Sequence, residues 1–429
     1  MKHAYINGII LDGSENMVPQ KDKIIFTDGG KIEKIAEADS AGADLNGYEV
    51  VDLKGKYIMP GLINLHVHLP ASGRPKKKES DNVKLVNLIT SNGFFRKIGI
   101  KMCEGFARTQ LMSGVTTIRT VGGVADFDTI VRDRINAGKL EGPRILAANM
   151  AISVEGGHMA HSLAYAAETP EEAARYVRKI AEDNPDLIKL MITGGVLDAK
   201  VKGEPGELKM TPEMVKAACE EAHKLGFKVA AHVESPEGVK CALENGVDTI
   251  EHGAEPDEDI IRLFKERGAC HVATISPALP FAEFDRSVSH VTELARYNGK
   301  VVFKGIIDCA RACLENGITV GLGTDTGCPF ITQYDMWREI NYFRKYCGVS
   351  NAFALHTATQ VNARIAGIED AAGTIEPGKA ADFVVTASNP LESLQALRNI
   401  SMVVTRGKIY NNPKVKKMAR VEAELDKFL

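Results

Sequence analysis

Apolar, strand-like runs alternate with helix-like stretches along about 300 residues in the middle of this 429-residue chain. Such alternation is typical of a parallel sheet whose strands are joined by crossover helices. Eight candidate strands follow one another at 62–67, 115–120, 144–148, 187–192, 228–233, 249–251, 271–275 and 319–323. Eight strand and helix units favour a closed (β/α)8 barrel, a TIM-like α/β fold, over an open sheet.

The connections between these strands differ in how well they can be assigned. Thr211 and Ser235 are each followed by Pro and Glu, which is the pattern of a helix N-cap with an acidic first turn. Two connections, 69–100 and 276–299, are unusually long, and we expect loops there that act as lids or specificity elements. A solvated loop tip is the favoured interpretation of Lys76-Lys77-Lys78, over a phosphate-binding site.

The two chain ends differ from the middle. Residues 1–59 read as short strands separated by turn signals such as Asp28-Gly29-Gly30, and further strand patterns occupy 381–385 and 402–409. We therefore predict a small discontinuous β-sandwich domain from 1–59 and 370–412, and a barrel over 60–369. Apolar residues near helical spacing predict a C-terminal helix over 413–429, docked on the protein or used in dimer packing: Val415, Met418, Leu425 and Phe428.

Composition limits the possible partners. The chain has 53 basic and 56 acidic residues, a net charge of −3, which argues against nucleic-acid binding. Its 44% hydrophobic content is that of a globular protein with a sizeable core. Neither a long apolar window nor a signal sequence is evident, so a cytoplasmic protein without membrane association is predicted. The eight cysteines are scattered without a C-x-x-C pair, which indicates reduced thiols.

Side chains with metal-binding chemistry stand at the ends of five candidate strands. His66 and His68 flank one residue of a strand, so both imidazoles point to the same side. Lys189 lies in an apolar run, where a buried ammonium must be paired or neutralised. Either an interior salt bridge or a carbamate formed with CO2 would compensate it. The remaining strand ends carry His232, His252 and Asp325.

The C-terminal rim of a barrel is where active sites of this architecture are built, so these side chains together indicate a metal centre. The chain also carries Pro60-Gly61-Leu62-Ile63-Asn64-Leu65-His66-Val67-His68 and, late in the sequence, Gly373-Thr374-Ile375-Glu376-Pro377-Gly378-Lys379-Ala380-Ala381-Asp382. With these motifs it resembles the metal-dependent amidohydrolase superfamily. The resemblance spans almost the whole chain.

Further motifs resemble one branch of that superfamily, namely Gly114-Val115-Thr116-Thr117-Ile118-Arg119, Gly156-Gly157-His158 and Ile188-Lys189-Leu190 followed by Gly194-Gly195. This branch contains Xaa-Pro dipeptidase-like and arginine carboxypeptidase-like enzymes and is related to imidazolonepropionase. The resemblance implies two divalent metal ions, usually Zn²⁺. It implies that carbamylated Lys189 and a hydroxide bridge the two ions. The other implied ligands are His66, His68 and Asp325 for one ion, and His232 and His252 for the other.

The charges of such a centre suit hydrolysis. Two cations bring +4, while the carbamate, Asp325 and hydroxide bring −3, which leaves about +1 where an oxyanion would develop. Asp325 is the expected catalytic proton carrier from hydroxide to the leaving nitrogen.

Three residues are predicted to face the substrate. The resemblance assigns His158 a catalytic and substrate-binding role, and it places Arg119 among the substrate contacts. Glu234 lies two residues after His232 on the same side of the chain, where a carboxylate would bind a substrate amine or guanidinium, or orient a metal ligand.

The function predicted from these observations is hydrolysis of an amide or peptide bond in a small substrate, a dipeptide such as Xaa-Pro or an N-acyl amino acid. A deaminase or a cyclic amide or imide hydrolase of the same fold is the alternative enzyme, and these commonly use one metal. A non-catalytic assembly protein with this fold is the alternative of another class. We also expect a homo-oligomer.

Overall fold

The structure is a computed structural model that describes residues 1–40, 43–75 and 81–429. The Lys76-Lys77-Lys78 run lies outside the described residues. The chain divides into two compact units, and each is formed by three segments. The first contains Met1–Asn64, Arg108–Ile118 and Tyr334–Lys417, and the second contains Leu65–Ala107, Arg119–Gln333 and Met418–Leu429. No helix among the described residues is both long and apolar enough to cross a membrane.

Six short strands precede the barrel in the part of the chain that the structure describes. They are β1 (Lys2–Ile6), β2 (Ile9–Ile10), β3 (Lys23–Asp28), β4 (Lys31–Glu37), β5 (Glu49–Asp52) and β6 (Tyr57–Pro60). Ten strands then follow among the described residues in the middle of the chain. They are β7 (Leu62–Val67), β8 (Val115–Thr120), β9 (Arg144–Leu146), β10 (Ala151–Val154), β11 (Ala164–Ala167), β12 (Leu187–Met191), β13 (Lys228–Val233), β14 (Thr249–His252), β15 (Cys270–Ala273) and β16 (Val320–Leu322).

Eight of these ten strands form the predicted (β/α)8 barrel, and the predicted fold class is confirmed. Strands β7, β8 and β9 are neighbours in one sheet, and β12 to β16 follow one another in a second, parallel sheet. Backbone hydrogen bonds join the two sheets: Asp186 N donates to Ala147 O at 2.7 Å, and Asp325 N donates to His66 O at 2.9 Å. The barrel therefore closes between its first and last strands, which brings residues from both ends of the sequence to one rim.

Strands β10 and β11 were not predicted. They pair in parallel with each other, and β10 also pairs with β12. Each has only four residues, and β11 reads Ala-Tyr-Ala-Ala, so neither presents the branched apolar run that marks the barrel strands.

Within the described ranges, ten helices accompany the barrel strands: α1 (Asn82–Thr90), α2 (Gly93–Met112), α3 (Phe127–Asn136), α4 (Pro170–Ala181), α5 (Pro212–Lys224), α6 (Pro236–Glu244), α7 (Glu258–Arg267), α8 (Ile275–Glu283), α9 (Arg286–Ser289) and α10 (Glu293–Glu315). The predicted helix starts are confirmed, because Thr211 and Ser235 accept hydrogen bonds from the third residue after them.

The two long connections are largely helical, so the prediction of loops over 69–100 and 276–299 is wrong for most of their described residues. The first contains α1 and the start of α2, and the second contains α8, α9 and the start of α10. Pro277 and Pro280 lie within α8, and prolines in the sequence argue against a helix, so this helix was not predicted. Proline at the start of a helix is tolerated, and burial of nearly all of α8 compensates the proline in its interior.

The chain ends with helices α11 (Met336–Cys347), α12 (Asn351–His356) and α13 (Asn362–Ile365), then strands β17 (Phe383–Thr386), β18 (Ile400–Thr405) and β19 (Lys408–Asn411), and finally helix α14 (Ala419–Leu425). The end strands form two sheets, in the orders β4-β3-β1-β5 and β19-β18-β17-β6-β2. A shared core joins them and includes Tyr5, Ile25, Ile58 and Phe383. This is the predicted sandwich of discontinuous segments.

The division of the chain differs from the predicted boundaries, because α11 to α13 belong to the same unit as the end strands. One contact of this kind is the hydrogen bond from Asn351 Nδ2 to Leu391 O at 2.8 Å. The C-terminal helix is shorter than predicted and begins at Ala419. Val415 packs separately against Leu111 and Val403, whereas Phe428 stacks on Phe284.

Gly323 is required where the barrel closes. A Cβ atom at this position would lie 2.4 Å from His66 Cβ and 2.7 Å from His66 N. We expect Gly323→Ala to lower the free energy of unfolding by about 1–3 kcal/mol, because the neighbouring strand must move. Urea unfolding measures this change. Gly105→Ala on α2 is the control, since no atom beyond its chain neighbours and the adjacent backbone of its own helix lies within 4 Å of the new Cβ. An equal loss there would contradict the prediction.

Candidate metal centre

One group of donor atoms lies where β7 and β16 end. Asp325 Oδ1 is 3.5 Å from His66 Nε2 and 3.1 Å from His68 Nε2. One ligand atom from each of the three residues lies within 4.8 Å of the others, as a shared ion requires. Asp325 adopts a left-handed backbone conformation, with φ 52°, and its N–H bond to His66 O holds it there. The structure therefore brings together the three residues predicted to share one ion.

A second group of donor atoms lies at the ends of β13 and β14. Ligand atoms of His232, Glu234 and His252 are also within 4.8 Å of one another. The rings of His232 and His252 are 4.7 Å apart between centroids. The His252 ring is in turn 4.9 Å from that of His66, so the two groups are neighbours on the rim.

Lys189 is fully buried on β12, with an exposed fraction of 0%. Its Nζ has no hydrogen-bond partner among the described residues. Burial lowers the pKa of Lys189 to about 8, although the charges of Glu251 and Asp325 act in the opposite direction. Because the lowered pKa enlarges the neutral fraction of the amine, Lys189 has the form that adds to CO2. An amine without a hydrogen-bond partner among candidate metal ligands fits the carbamate that the resemblance implies.

Three of the four histidines of the centre, His66, His232 and His252, have lowered pKa values that favour metal binding. Burial, followed by the charge of Lys189, lowers the pKa of His66 to about 4. Burial also holds the pKa values of His232 and His252 well below the usual range. These imidazoles are therefore neutral at neutral pH, which is the form that coordinates a cation. The donor set of histidine nitrogens and carboxylates suits Zn²⁺ or a similar divalent ion.

Hydrogen bonds fix the orientation of the ligand rings. His68 Nδ1 lies 2.7 Å from Gly122 O, and His252 Nδ1 lies 2.6 Å from Thr274 Oγ1. His66 Nδ1 lies 2.8 Å from Glu251 Oε2. Partners of this kind set the tautomer of a metal-binding histidine and direct its other nitrogen to the ion.

Arg119 supports this arrangement from inside the barrel. The structure therefore corrects the prediction that Arg119 contacts the substrate. It is buried, with an exposed fraction of 4%. Its Nη2 donates to Glu251 Oε1 at 2.6 Å, its Nε to Leu65 O at 2.7 Å, and its Nη1 to Thr249 Oγ1 at 3.2 Å. Since all three nitrogens are engaged inside the barrel, the guanidinium holds the carboxylate that orients His66. Sequence reasoning missed Glu251, although a buried acid on one strand and a buried arginine on another were a usable signal.

We expect Glu251→Gln to weaken binding of the ion at His66 and His68 by about 10- to 100-fold, because the ring loses its anionic partner. Folding should also lose about 3–5 kcal/mol, since Arg119 would be left buried without a countercharge. Metal titration and chemical unfolding measure the two effects. The exposed Glu258 on α7 provides the control Glu258→Gln, and equal metal affinity in both variants would contradict the assignment.

His158 lies beside the second donor group. Its ring stacks on His232 with centroids 4.2 Å apart and planes 7° from parallel. His158 Nδ1 lies 2.6 Å from Asp198 Oδ2, and that oxygen also accepts from Gly195 N at 2.9 Å. Burial raises the pKa of Asp198, but the hydrogen bonds from His158 and Gly195 N and the charges of His158 and Lys209 together outweigh burial and leave the pKa below its usual value. Asp198 was not predicted, because it is 40 residues from His158 in sequence.

Comparison with known proteins agrees with this geometry. Residues 57–410 match the sequence profile of the amidohydrolase family. The chain belongs to the amidohydrolase family. It is therefore a hydrolytic enzyme, as predicted.

Relatives in this family include several with known structures. A chain from Bifidobacterium longum that is provisionally called a prolidase is 35% identical, with a TM-score of 0.87 over 99% of this chain and 98% of that one. A Xaa-Pro dipeptidase with bound methionine is 31% identical, with a TM-score of 0.84 over 96% of this chain and 100% of that one. Ochratoxinase from Aspergillus niger is 25% identical in sequence over 83% of this chain and 76% of its own. The predicted branch is thereby confirmed.

Proposed function

We propose that this amidohydrolase is a binuclear metal-dependent hydrolase that cleaves the amide or peptide bond of a dipeptide, such as Xaa-Pro, or of an N-acyl amino acid. The observation that carries the proposal is the pair of donor groups with the unpartnered, buried Lys189 in the same barrel interior. In this proposal the carbamate of Lys189 would bridge the two ions. The similarity to prolidases and to ochratoxinase supports the substrate class.

Two bound divalent cations would supply an ionised water at neutral pH and would polarise the scissile carbonyl. The chain's own residues have separate tasks. Burial acts to raise the pKa of Asp325, whereas the charges of His66, His68 and His252 and the hydrogen bond with His68 act to lower it. The lowering effects are larger in sum, so the pKa of Asp325 lies well below the usual range. Asp325 is thus ionised and able to accept a proton, which it would pass to the leaving nitrogen. His158, held by Asp198, is proposed to contact the substrate beside His232.

Metal counting and a substrate screen test the proposal together. We expect two divalent ions per chain and hydrolysis within a library of dipeptides and N-acyl amino acids. One ion per chain with release of ammonia, or with opening of a cyclic amide, would instead support the deaminase or cyclic amide hydrolase. A metal-free preparation as active, or as inert, as the metal-loaded one would support the assembly protein.

The expected homo-oligomer also stays a prediction, and a group of exposed apolar side chains on α1 and α2 supports it. These residues are Leu85, Leu88, Phe94 and Ile98. Light scattering on the purified protein measures the oligomeric state directly, and a monomer at all concentrations would contradict the prediction.

A further inference from the structure

Glu234 is a partly buried acid beside the proposed metal centre that the mechanism above does not use. It directly follows β13, and its backbone N–H donates to Thr193 Oγ1 at 3.1 Å, which fixes the chain at this point. Its Oε2 is buried and has no hydrogen-bond partner among the described residues. A carboxylate oxygen without a partner is costly inside a protein, so its position calls for a cation.

The nearest candidate position for that cation is set by two histidines. A Glu234 oxygen lies within 4.8 Å of the ligand nitrogens of both His232 and His252. Donors that share one tetrahedral zinc ion each lie about 2.0–2.2 Å from it, so they are about 3.3–3.6 Å from one another. The three donor atoms, which already lie within 4.8 Å of one another, therefore need to approach by at most about 1.5 Å to hold a common ion.

We propose that Glu234 is a protein ligand of the second metal position, together with His232 and His252. This inference rests on the proposed binuclear function and adds a ligand to it. Each ion then receives two histidines and one carboxylate from the chain: His66, His68 and Asp325 for the first, and His232, His252 and Glu234 for the second. The bridging carbamate is additional to both sets.

A substrate ammonium group is the competing occupant, and the donor set favours the metal. Two neutral imidazole nitrogens and one carboxylate oxygen that converge on one point form the ligand set of a catalytic zinc site. Neighbouring acids already have partners: Asp325 lies against His66 and His68, and Asp198 against His158. Binding of the second ion would thus supply the partner that Glu234 Oε2 lacks among the described residues.

The test compares metal binding by the full-length metal-free chain and its variants. Zn²⁺ binding is followed by competition with a chromophoric chelator, and Co²⁺ binding by the visible absorption that reports coordination number. Wild type should bind two ions. Glu234→Gln should bind the first ion unchanged and the second at least about 10-fold more weakly, with an altered spectrum for the second Co²⁺. Glu237→Gln, which removes an exposed carboxylate in the first turn of α6, should match wild type.

Glu234→His supplies a nitrogen donor at the same position and should retain the second ion better than Glu234→Gln, which a purely structural role would not produce. Equal affinity for both ions in wild type and Glu234→Gln would overturn the inference, and a selective loss of substrates with a free ammonium group would then identify Glu234 as a substrate contact. Fewer than two ions in wild type would instead contradict the proposed function, so the two failures are distinguishable.

Discussion

Asp325→Asn should lower turnover by about 100-fold or more while substrate binding changes less. Asparagine keeps the shape of the side chain but cannot accept a proton at neutral pH. The ionised carboxylate is the form the site maintains, because His66 and His68 hold the pKa of Asp325 well below its usual range despite burial. The loss should therefore fall on the proton-transfer step rather than on recognition of the substrate.

Steady-state kinetics, with kcat and KM determined separately and metal content measured on the same samples, checks this expectation. Asp370→Asn is the matched control, because Asp370 is an exposed acid in a loop of the first unit. Near wild-type turnover in Asp325→Asn, with both metals retained, would refute the role of Asp325 as the proton carrier. A fall in turnover that follows metal loss in proportion would assign Asp325 to metal binding alone.

Lys189→Ala should lose about one metal ion per chain and most of the activity. The physical reason is that alanine cannot form the carbamate, so two neighbouring cations lose the anion that would bridge them. The space that Nζ occupied would remain inside the barrel, since all residues of β12 are buried. Small carboxylates such as acetate or propionate should restore part of the activity, because they supply an anionic bridge in the vacated space.

Metal analysis and activity assays with and without added carboxylate measure this prediction, and native mass spectrometry of wild type should show the mass of one CO2. The exposed Lys216 on α5 gives the control Lys216→Ala. An unmodified Lys189 in an active enzyme with two metals would contradict the carbamate. Full metal content in Lys189→Ala would show that the carbamate does not hold the ions.

The barrel and its metal-binding side chains could be predicted from the sequence for a definite physical reason. Strands buried on both faces must be apolar, so a polar residue at the end of such a strand stands out, as His66, His232 and Asp325 do. Side chains at the carboxyl ends of parallel strands meet at one rim whatever the details of the helices. Strand ends therefore carried most of the information about the centre.

The helices in the long connections and the supports of the centre depended on tertiary structure. Nothing local marks Glu251 as the partner of both His66, 185 residues away, and Arg119, 132 residues away. Closure of the barrel places these strands side by side, and only then does one buried charge become the necessary complement of another. The periodicity of the sequence determined which residues lie at the rim. The closed barrel decided which of these residues are in contact, because contacts between distant strands depend on how the strands are aligned in the closed sheet, and no short segment can form that sheet alone.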